Sequence, residues 1–189
     1  MQTVALEEIK NIADYELERE SWRPRVMALK DRRRVRVGDH LTFLFENRET
    51  VRYQIQEMLR IERIVKPQDI QHELETYNEL IPGPDQLSAS LLIEYATPAE
   101  RDVHLRELLG IEKHVWLVVA GGAPAPAIFD ARQISTDRVS SVQYIKFQLS
   151  PEQVTRFAQG AAIRVDHPHY SFERPLTADE LAELGGDLK

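Results

Sequence analysis

Short apolar segments, most of them separated by turns rather than by long helices, constrain the fold of this sequence most. The first two, residues 35–37 and 41–45, flank Gly38-Asp39, a pair that is typical of a hairpin turn. Further apolar or alternating segments occupy residues 87–95, 113–120, 127–131, 142–149, 162–166 and 170–173. Successive strands without long helices between them favour antiparallel pairing. The sequence therefore predicts an α+β fold, in which a mainly antiparallel sheet packs with several helices.

One long central helix is predicted near residues 48–65, and it is the most strongly periodic helix in the sequence. Its core-facing stripe consists of Val51, Ile55, Met58 and Leu59. Asn47 precedes the first periodic residue and is a good N-cap. Pro67 is expected to end the helix, because the residue before a proline resists helical geometry.

The polar side of this helix has two interpretations. The residues whose donors suit an anion are Arg52, Gln56, Arg60 and Arg63. They form either a solvated face crossed by weak ion pairs or an anion-binding groove. Glu62 falls inside the apolar stripe, so its carboxylate either points outward where the stripe ends or is buried with a partner. All five residues are therefore candidate ligand-binding residues.

The first part of the chain is predicted to be less regular. Residues 3–20 carry many acids among few apolar residues and predict an irregular lead-in with a short helix. Ser21 is a suitable cap for a second helix over residues 22–33, with Pro24 in its first turn.

Length and composition indicate one soluble domain over residues 1–189, with a subdomain break near residues 81–86 as an alternative. The first ten residues lack the apolar run of a signal peptide, and the most apolar segment is interrupted by glycines and prolines. We therefore expect a cytoplasmic protein without a membrane partner. A net charge of −7 argues against nucleic acid as a partner.

The sequence contains no cysteine, which excludes several chemistries. A cysteine nucleophile, thiol redox chemistry and a thiolate-ligated iron–sulfur cluster all need that side chain. Signatures of phosphate-binding loops, dinucleotide-binding folds, serine hydrolases and di-iron bundles are also missing from the sequence.

The best local constellation for chemistry is the segment Asp166-His167-Pro168-His169. Residues two apart in an extended chain point to the same side, so His167 and His169 could face one divalent metal ion. Asp166 supplies a carboxylate, and imidazole with carboxylate suits zinc, iron or manganese. The alternative is that this segment is an ordinary turn whose histidines are solvated or hydrogen-bonded.

Three segments carry a resemblance to a known family. They are the central run FENRETVRYQIQEMLRIERI, the following ELETYNELIP and the later VDHPHY. Over essentially its whole length the chain resembles the bacterial domain-of-unknown-function family 3501. The resemblance implies no catalytic residues, but it implies genomic company: a rubrerythrin and an iron–sulfur protein similar to heterodisulfide reductase subunits.

Three hypotheses about function follow. The first is a non-catalytic accessory or binding protein of a cytoplasmic redox module, with a protein partner from that module. The second is a metal-dependent enzyme with a His/carboxylate site around His167 and His169, and the third is a small-anion sensor that uses the arginines of the central helix. The sequence leaves the substrate, the cofactor and the oligomeric state unknown.

Overall fold

All eight strands in the described part of the chain pair antiparallel and form one sheet. The structure is a computed structural model that describes residues 2–188. Its strands are β1 Arg34–Val37, β2 Leu41–Glu46, β3 Gln86–Ile93, β4 Val115–Val119, β5 Ala125–Phe129, β6 Val142–Gln148, β7 Ala161–His167 and β8 Tyr170–Pro175. Their order in the sheet is β1-β2-β3-β6-β5-β4-β7-β8. The predicted α+β fold with an antiparallel sheet is thereby confirmed.

The two edge strands curl towards each other, so that the sheet is nearly closed. The Tyr170 hydroxyl of β8 donates to the carbonyl of Val37 at 2.7 Å and accepts from the backbone N–H of His40 at 3.0 Å. Gly38 sits in the β1–β2 turn with φ +62°, and a Cβ there would collide with the hydroxyl of Tyr170 and the ring of Phe172. Gly38, which was predicted to lie in a hairpin turn, is thus needed for two reasons. It adopts the left-handed backbone conformation, and its lack of a side chain lets the edge strands β1 and β8 come close together.

The concave face of the sheet encloses the main core. Alternate residues of β2 and β3, among them Phe43, Phe45, Leu87 and Leu91, point into it and are fully buried. Phe147 of β6 packs among them. Every residue of β2 is buried, which shows that helices also cover the outer face of the sheet at this strand.

The helices of residues 2–188 lie outside the sheet or at its ends. They are α1 Ile12–Arg32, α2 Arg48–Ile61, α3 Pro67–Asn78, α4 Pro98–Glu107, α5 Pro151–Arg156 and α6 Ala178–Gly185. None of them is both long enough and apolar enough to cross a membrane.

Helix α1 corrects two predictions. The chain forms one continuous helix of 21 residues from Ile12, not an irregular lead-in followed by a helix at residue 22. Pro24 therefore lies inside the helix and not in its first turn, where it was predicted. The helix is also longer than the central helix α2. Hydrophobic periodicity did not predict this continuous helix, because only Tyr15 and Val26 of α1 are buried and they leave no apolar stripe in the sequence. Polar contacts with α2 hold this helix in place instead.

Helix α2 supports a second, smaller apolar core. Val51, Ile55 and Leu59 are buried against Leu74 of α3, as the predicted stripe requires. The helix ends at Ile61, four residues before the predicted end. It ends there because Arg63 adopts a left-handed φ of 55° and the N–H of Ile64 turns back to the carbonyl of Leu59 at 2.9 Å.

Buried Arg33 joins the end of α1 to β2 and α6. Its side chain is 1% exposed, and its Nε donates to the carbonyl of Phe45 at 2.9 Å. Its Nη1 lies 3.1 Å from Glu183, and its Nη2 pairs with Asp187. One guanidinium therefore fixes three elements that are distant in sequence.

Replacing Arg33 should destabilise the fold strongly. We expect Arg33→Ala to lower the free energy of unfolding by about 3 kcal/mol, since it leaves Asp187 and the carbonyls of Phe45 and Glu46 without their partner. The matched control is Arg32→Ala, which removes a neighbouring guanidinium that is 59% exposed and also pairs with Glu183. Chemical denaturation should show less than about 1 kcal/mol for this control; equal losses in both variants would contradict the role of Arg33.

Candidate functional site

The polar side of α2 faces α1 and not open solvent. The Glu57 carboxylate accepts hydrogen bonds from the Tyr15 hydroxyl at 2.5 Å and from Arg19 at 2.7 and 2.9 Å. Burial alone would raise the pKa of Glu57, but the Arg19 and Tyr15 donors outweigh it and lower that pKa to about 2. This part of the predicted polar face is therefore an interface between two helices.

Gln56 is structural in the same interface. Its side chain is 1% exposed. Its Oε1 accepts from the backbone N–H of Lys10 at 3.0 Å, and its Nε2 donates to the carbonyl of Lys10 at 2.8 Å. The amide thereby secures the segment that leads into α1.

The arginines of the predicted anion groove do not share one site. Arg60 pairs with Glu16 and Glu57, each at 3.4 Å. The Arg52 guanidinium lies 4.9 Å from the ring of Trp22. Arg63 lies beyond the end of α2 and is exposed, and so is Glu62, whose carboxylate points outward.

Of these five candidates, Arg52 and Gln56 line a cavity of about 420 Å³ between α1 and α2. The cavity also contains carboxylates, Glu18 and Glu49, and the latter accepts from the Trp22 indole at 2.8 Å. Positive and negative groups are therefore mixed in it, and anion binding there stays a prediction.

The histidine segment is arranged as a turn between β7 and β8. His167 is buried, its Nε2 lies 3.0 Å from the carbonyl of Leu109, and its Nδ1 accepts the backbone N–H of His169 at 3.3 Å. Both ring nitrogens are thus engaged, and the contact with Leu109 places the proton on Nε2. His169 itself is exposed.

Asp166 belongs to a different pair. Its carboxylate lies 3.0 Å from Nδ1 of His114, and the Trp116 and His114 side chains lower its pKa. Within residues 2–188 no group of three metal-ligating side chains is positioned to hold one ion. The geometry therefore adds no support to the metal site at Asp166, His167 and His169, which stays a prediction.

A site that sequence reasoning missed lies on the outer face of the sheet. Glu46 of β2 pairs directly with Ser88 of β3, and Ser88 pairs directly with Lys146 of β6. Directly paired residues point to the same face, so these three side chains form a polar row across the strands. Ile128 of β5 continues the row on the far side of Lys146.

Two adjoining cavities open along this row. The outer one, of about 490 Å³, lies between α3 and β5–β6 and is lined by Ser88, Ile128 and Lys146. The inner one, of about 270 Å³, lies under α2 and is lined by Glu46 and Ser90. The two share the residues Tyr77, Leu80 and Tyr144 as a common wall. We refer to the two cavities together as the sheet groove.

The inner end of the sheet groove holds a buried carboxyl group. Glu46 is 6% exposed, accepts from the Ser90 hydroxyl at 2.7 Å and from the Thr50 hydroxyl, and forms no ion pair with any residue in the described range. A carboxylate has about four acceptor positions, so these two hydroxyls leave part of its capacity unused.

Further polar and charged groups lie in the wall and at the outer end of the sheet groove. Burial raises the pKa values of Tyr77 and Tyr144, so both phenols stay neutral and can donate hydrogen bonds. At the outer rim Arg132 lies 2.7 Å from Asp130 and also pairs with Glu79, and it lowers the pKa of Asp130. The half-buried Lys146 has no ion-pair partner among residues 2–188, so its ammonium is available to a ligand.

The sequence did contain a signal for this site. The alternation over residues 142–149 predicts one face of β6 in contact with water, and Ser88 and Ser90 mark the same face of β3. What the sequence could not give is the strand order, which places β2, β3 and β6 side by side.

Comparisons with known proteins identify relatives of this chain. The profile of a family described as a protein of unknown function, DUF3501, matches residues 3–188. The chain is also similar to the crystal structure of a novel protein of unknown function from Burkholderia pseudomallei, with 36% sequence identity, complete coverage of both chains and a TM-score of 0.93. No curated protein matches the chain.

Neutralising Glu57 should reduce stability in a pH-dependent way. Because its pKa is lowered to about 2 in the folded state, its charge stabilises the fold above about pH 4.5, and this stabilisation disappears as the pH falls towards 2. We expect Glu57→Gln to lose roughly 1–2 kcal/mol at pH 7, allowing for solvent screening. Urea titrations from pH 2 to 7 measure this, with the exposed Glu62→Gln as control; a difference that grows on acidification would contradict the assignment.

The ring of His167 should not respond to metal ions. We expect its long-range ¹H–¹⁵N spectrum to show the Nε2–H tautomer and to stay unchanged when Zn²⁺ is added, because both nitrogens are already hydrogen-bonded. The exposed His72 provides an internal reference. A stoichiometric Zn²⁺-induced shift at His167 Nδ1, lost in His169→Ala, would instead support the metal-dependent enzyme.

Proposed function

The chain belongs to the DUF3501 family, and we propose that it is a binding protein that holds a small, partly apolar molecule with a carboxylate group in the sheet groove. The observation that carries this proposal is the unpaired Lys146 at the floor of a 490 Å³ cavity with mainly apolar walls. Pockets of this size with few convergent polar groups are typical of small-molecule sites.

The walls favour an apolar body for the ligand. Leu80 and the rings of Tyr77 and Tyr144 border the groove on the side of the second core, and Ile128 borders it on the other side. Ile128 is 54% exposed, so a ligand lying on it would remove apolar surface from water.

The polar groups favour a carboxylate at the outer end. The Lys146 ammonium can donate three hydrogen bonds, and the Ser88 hydroxyl beside it can donate another. Arg132 is already engaged with Asp130 and Glu79, so Lys146 is the cation in the outer cavity that a ligand meets without displacing an internal partner.

A protein partner is a second proposal. The family resemblance implies gene neighbours that encode a rubrerythrin and an iron–sulfur protein, and the cysteine-free chain would rely on such a partner for any thiolate-ligated cluster. We therefore propose a non-catalytic accessory role beside this redox module in the cytoplasm. Affinity purification from the native host under anaerobic conditions tests it: recovery of either neighbour supports the role, and recovery of neither contradicts it.

Filling the groove should abolish ligand binding. We expect Ile128→Trp to weaken the binding of hexanoate at least tenfold, because the indole occupies the space above Lys146. Saturation-transfer NMR and calorimetry with hexanoate measure the effect. The matched control is Val103→Trp on α4, where the original side chain is also 54% exposed but lies away from the groove. No hexanoate binding to the unmodified protein, or equal binding by both variants, would contradict the proposed site.

A further inference from the structure

The two ends of the sheet groove carry groups of opposite charge. Glu46 lines the inner cavity and Lys146 the outer one, and Ser88 is the residue that separates them in the register of the sheet. Two strand spacings put the Cα atoms of Glu46 and Lys146 about 10 Å apart. The two side chains do not form an ion pair with each other in the described structure, so each charge faces the groove.

A ligand can pair with both Glu46 and Lys146 only if it carries a positive and a negative group that are separated along its length. Tyr77 and Tyr144 lie between the two cavities. Tyr144 is paired in register with Ser90, whose hydroxyl donates to Glu46. Aromatic faces attract ammonium groups as well as methylene chains. This arrangement therefore favours an unbranched chain that carries a cation at one end and an anion at the other.

The inner cavity also contains a lysine of the protein itself. Lys30 lines it, but its ammonium lies 5.6 Å from the centre of the Tyr53 ring and forms no ion pair with Glu46 in the described residues. The remaining acceptor positions of Glu46 are thus left for another donor.

We propose that the sheet groove recognises an ω-amino acid, with the ligand ammonium at Glu46, its methylene chain between Tyr77 and Tyr144, and its carboxylate at Lys146. The proposal rests on the proposed function, and it adds the substrate class: a zwitterion with about five to six carbons between its ends, matched to the spacing of two strands. An α-amino acid, whose charges are adjacent, would reach one end only.

Calorimetry with three probes of one length tests the proposal. The probes are 6-aminohexanoate, hexanoate and hexane-1,6-diamine, each titrated into the full chain. We expect 6-aminohexanoate to bind at least tenfold more tightly than either of the other two. If hexanoate binds equally well, the proposed carboxylate site stands but the zwitterion proposal fails. If none of the three binds, both proposals fail.

Substitutions at the two ends separate their roles. Glu46→Gln should remove the advantage of 6-aminohexanoate over hexanoate. Because Glu46 is buried, that variant is paired with Lys146→Glu at a half-buried position, which should change the preferred probe to hexane-1,6-diamine. Lys113→Met, at a lysine that is 79% exposed outside the groove, is the control and should bind as the unmodified protein does. An unchanged preference in Lys146→Glu would overturn the proposal.

Discussion

Helices α2 and α3 pack on the outer face of the sheet, and this packing determines which part of that face is covered and which part stays open. A sheet that curls until its edges nearly meet has one enclosed face, which apolar side chains fill. Its outer face must be covered by helices or accept water. Val51, Ile55 and Leu59 cover part of it through the second core, and the sheet groove lies where that cover stops.

The polar row at this boundary explains why the groove is suited to a ligand. Glu46 lies directly before Asn47, the residue that caps α2, so the strand end and the helix start place a carboxyl group under the helix. Ser88 and Lys146 follow from strand register alone. A row with a negative group at one end and a positive group at the other is not needed for packing against an apolar helix face, and it provides directional contacts at both ends of the groove.

Helix α1 is held in place by polar contacts with α2. It covers the polar side of α2 through Glu57, Gln56 and their partners rather than through an apolar stripe. Arg60, one of the residues predicted to contact an external anion, is paired with Glu16 and Glu57 of the same chain. Charge composition alone could not distinguish internal ion pairs from the binding of an external anion, because both use the same arginine side chains.

Much of the fold followed from local pattern. The Gly38-Asp39 hairpin, the alternation in β6 and the stripe of α2 all depend on neighbours in sequence. The hairpin and β6 were predicted with nearly correct bounds, and most residues of the predicted stripe are buried. The continuity of α1 through Pro24 and the end of α2 at Ile61 depend on tertiary contacts and on one left-handed residue. The sheet groove required the strand order, which brings together residues 46, 88 and 146 from three separate strands.

The family resemblance read from the central helix and the VDHPHY segment is confirmed by the match over residues 3–188. The gene neighbours that it implies are a separate matter, and they are relevant to the accessory role rather than to the groove. In that segment His167 contacts the carbonyl of Leu109 and Asp166 contacts His114, two partners that the sequence could not place beside them.

Crystals of the protein soaked with 6-aminohexanoate would locate the ligand without relying on any variant. We expect density that passes between Tyr77 and Tyr144, with the ammonium beside Glu46 and the carboxylate beside Lys146. Density in the cavity between α1 and α2, or an empty sheet groove at a saturating concentration of the ligand, would contradict the proposed binding mode.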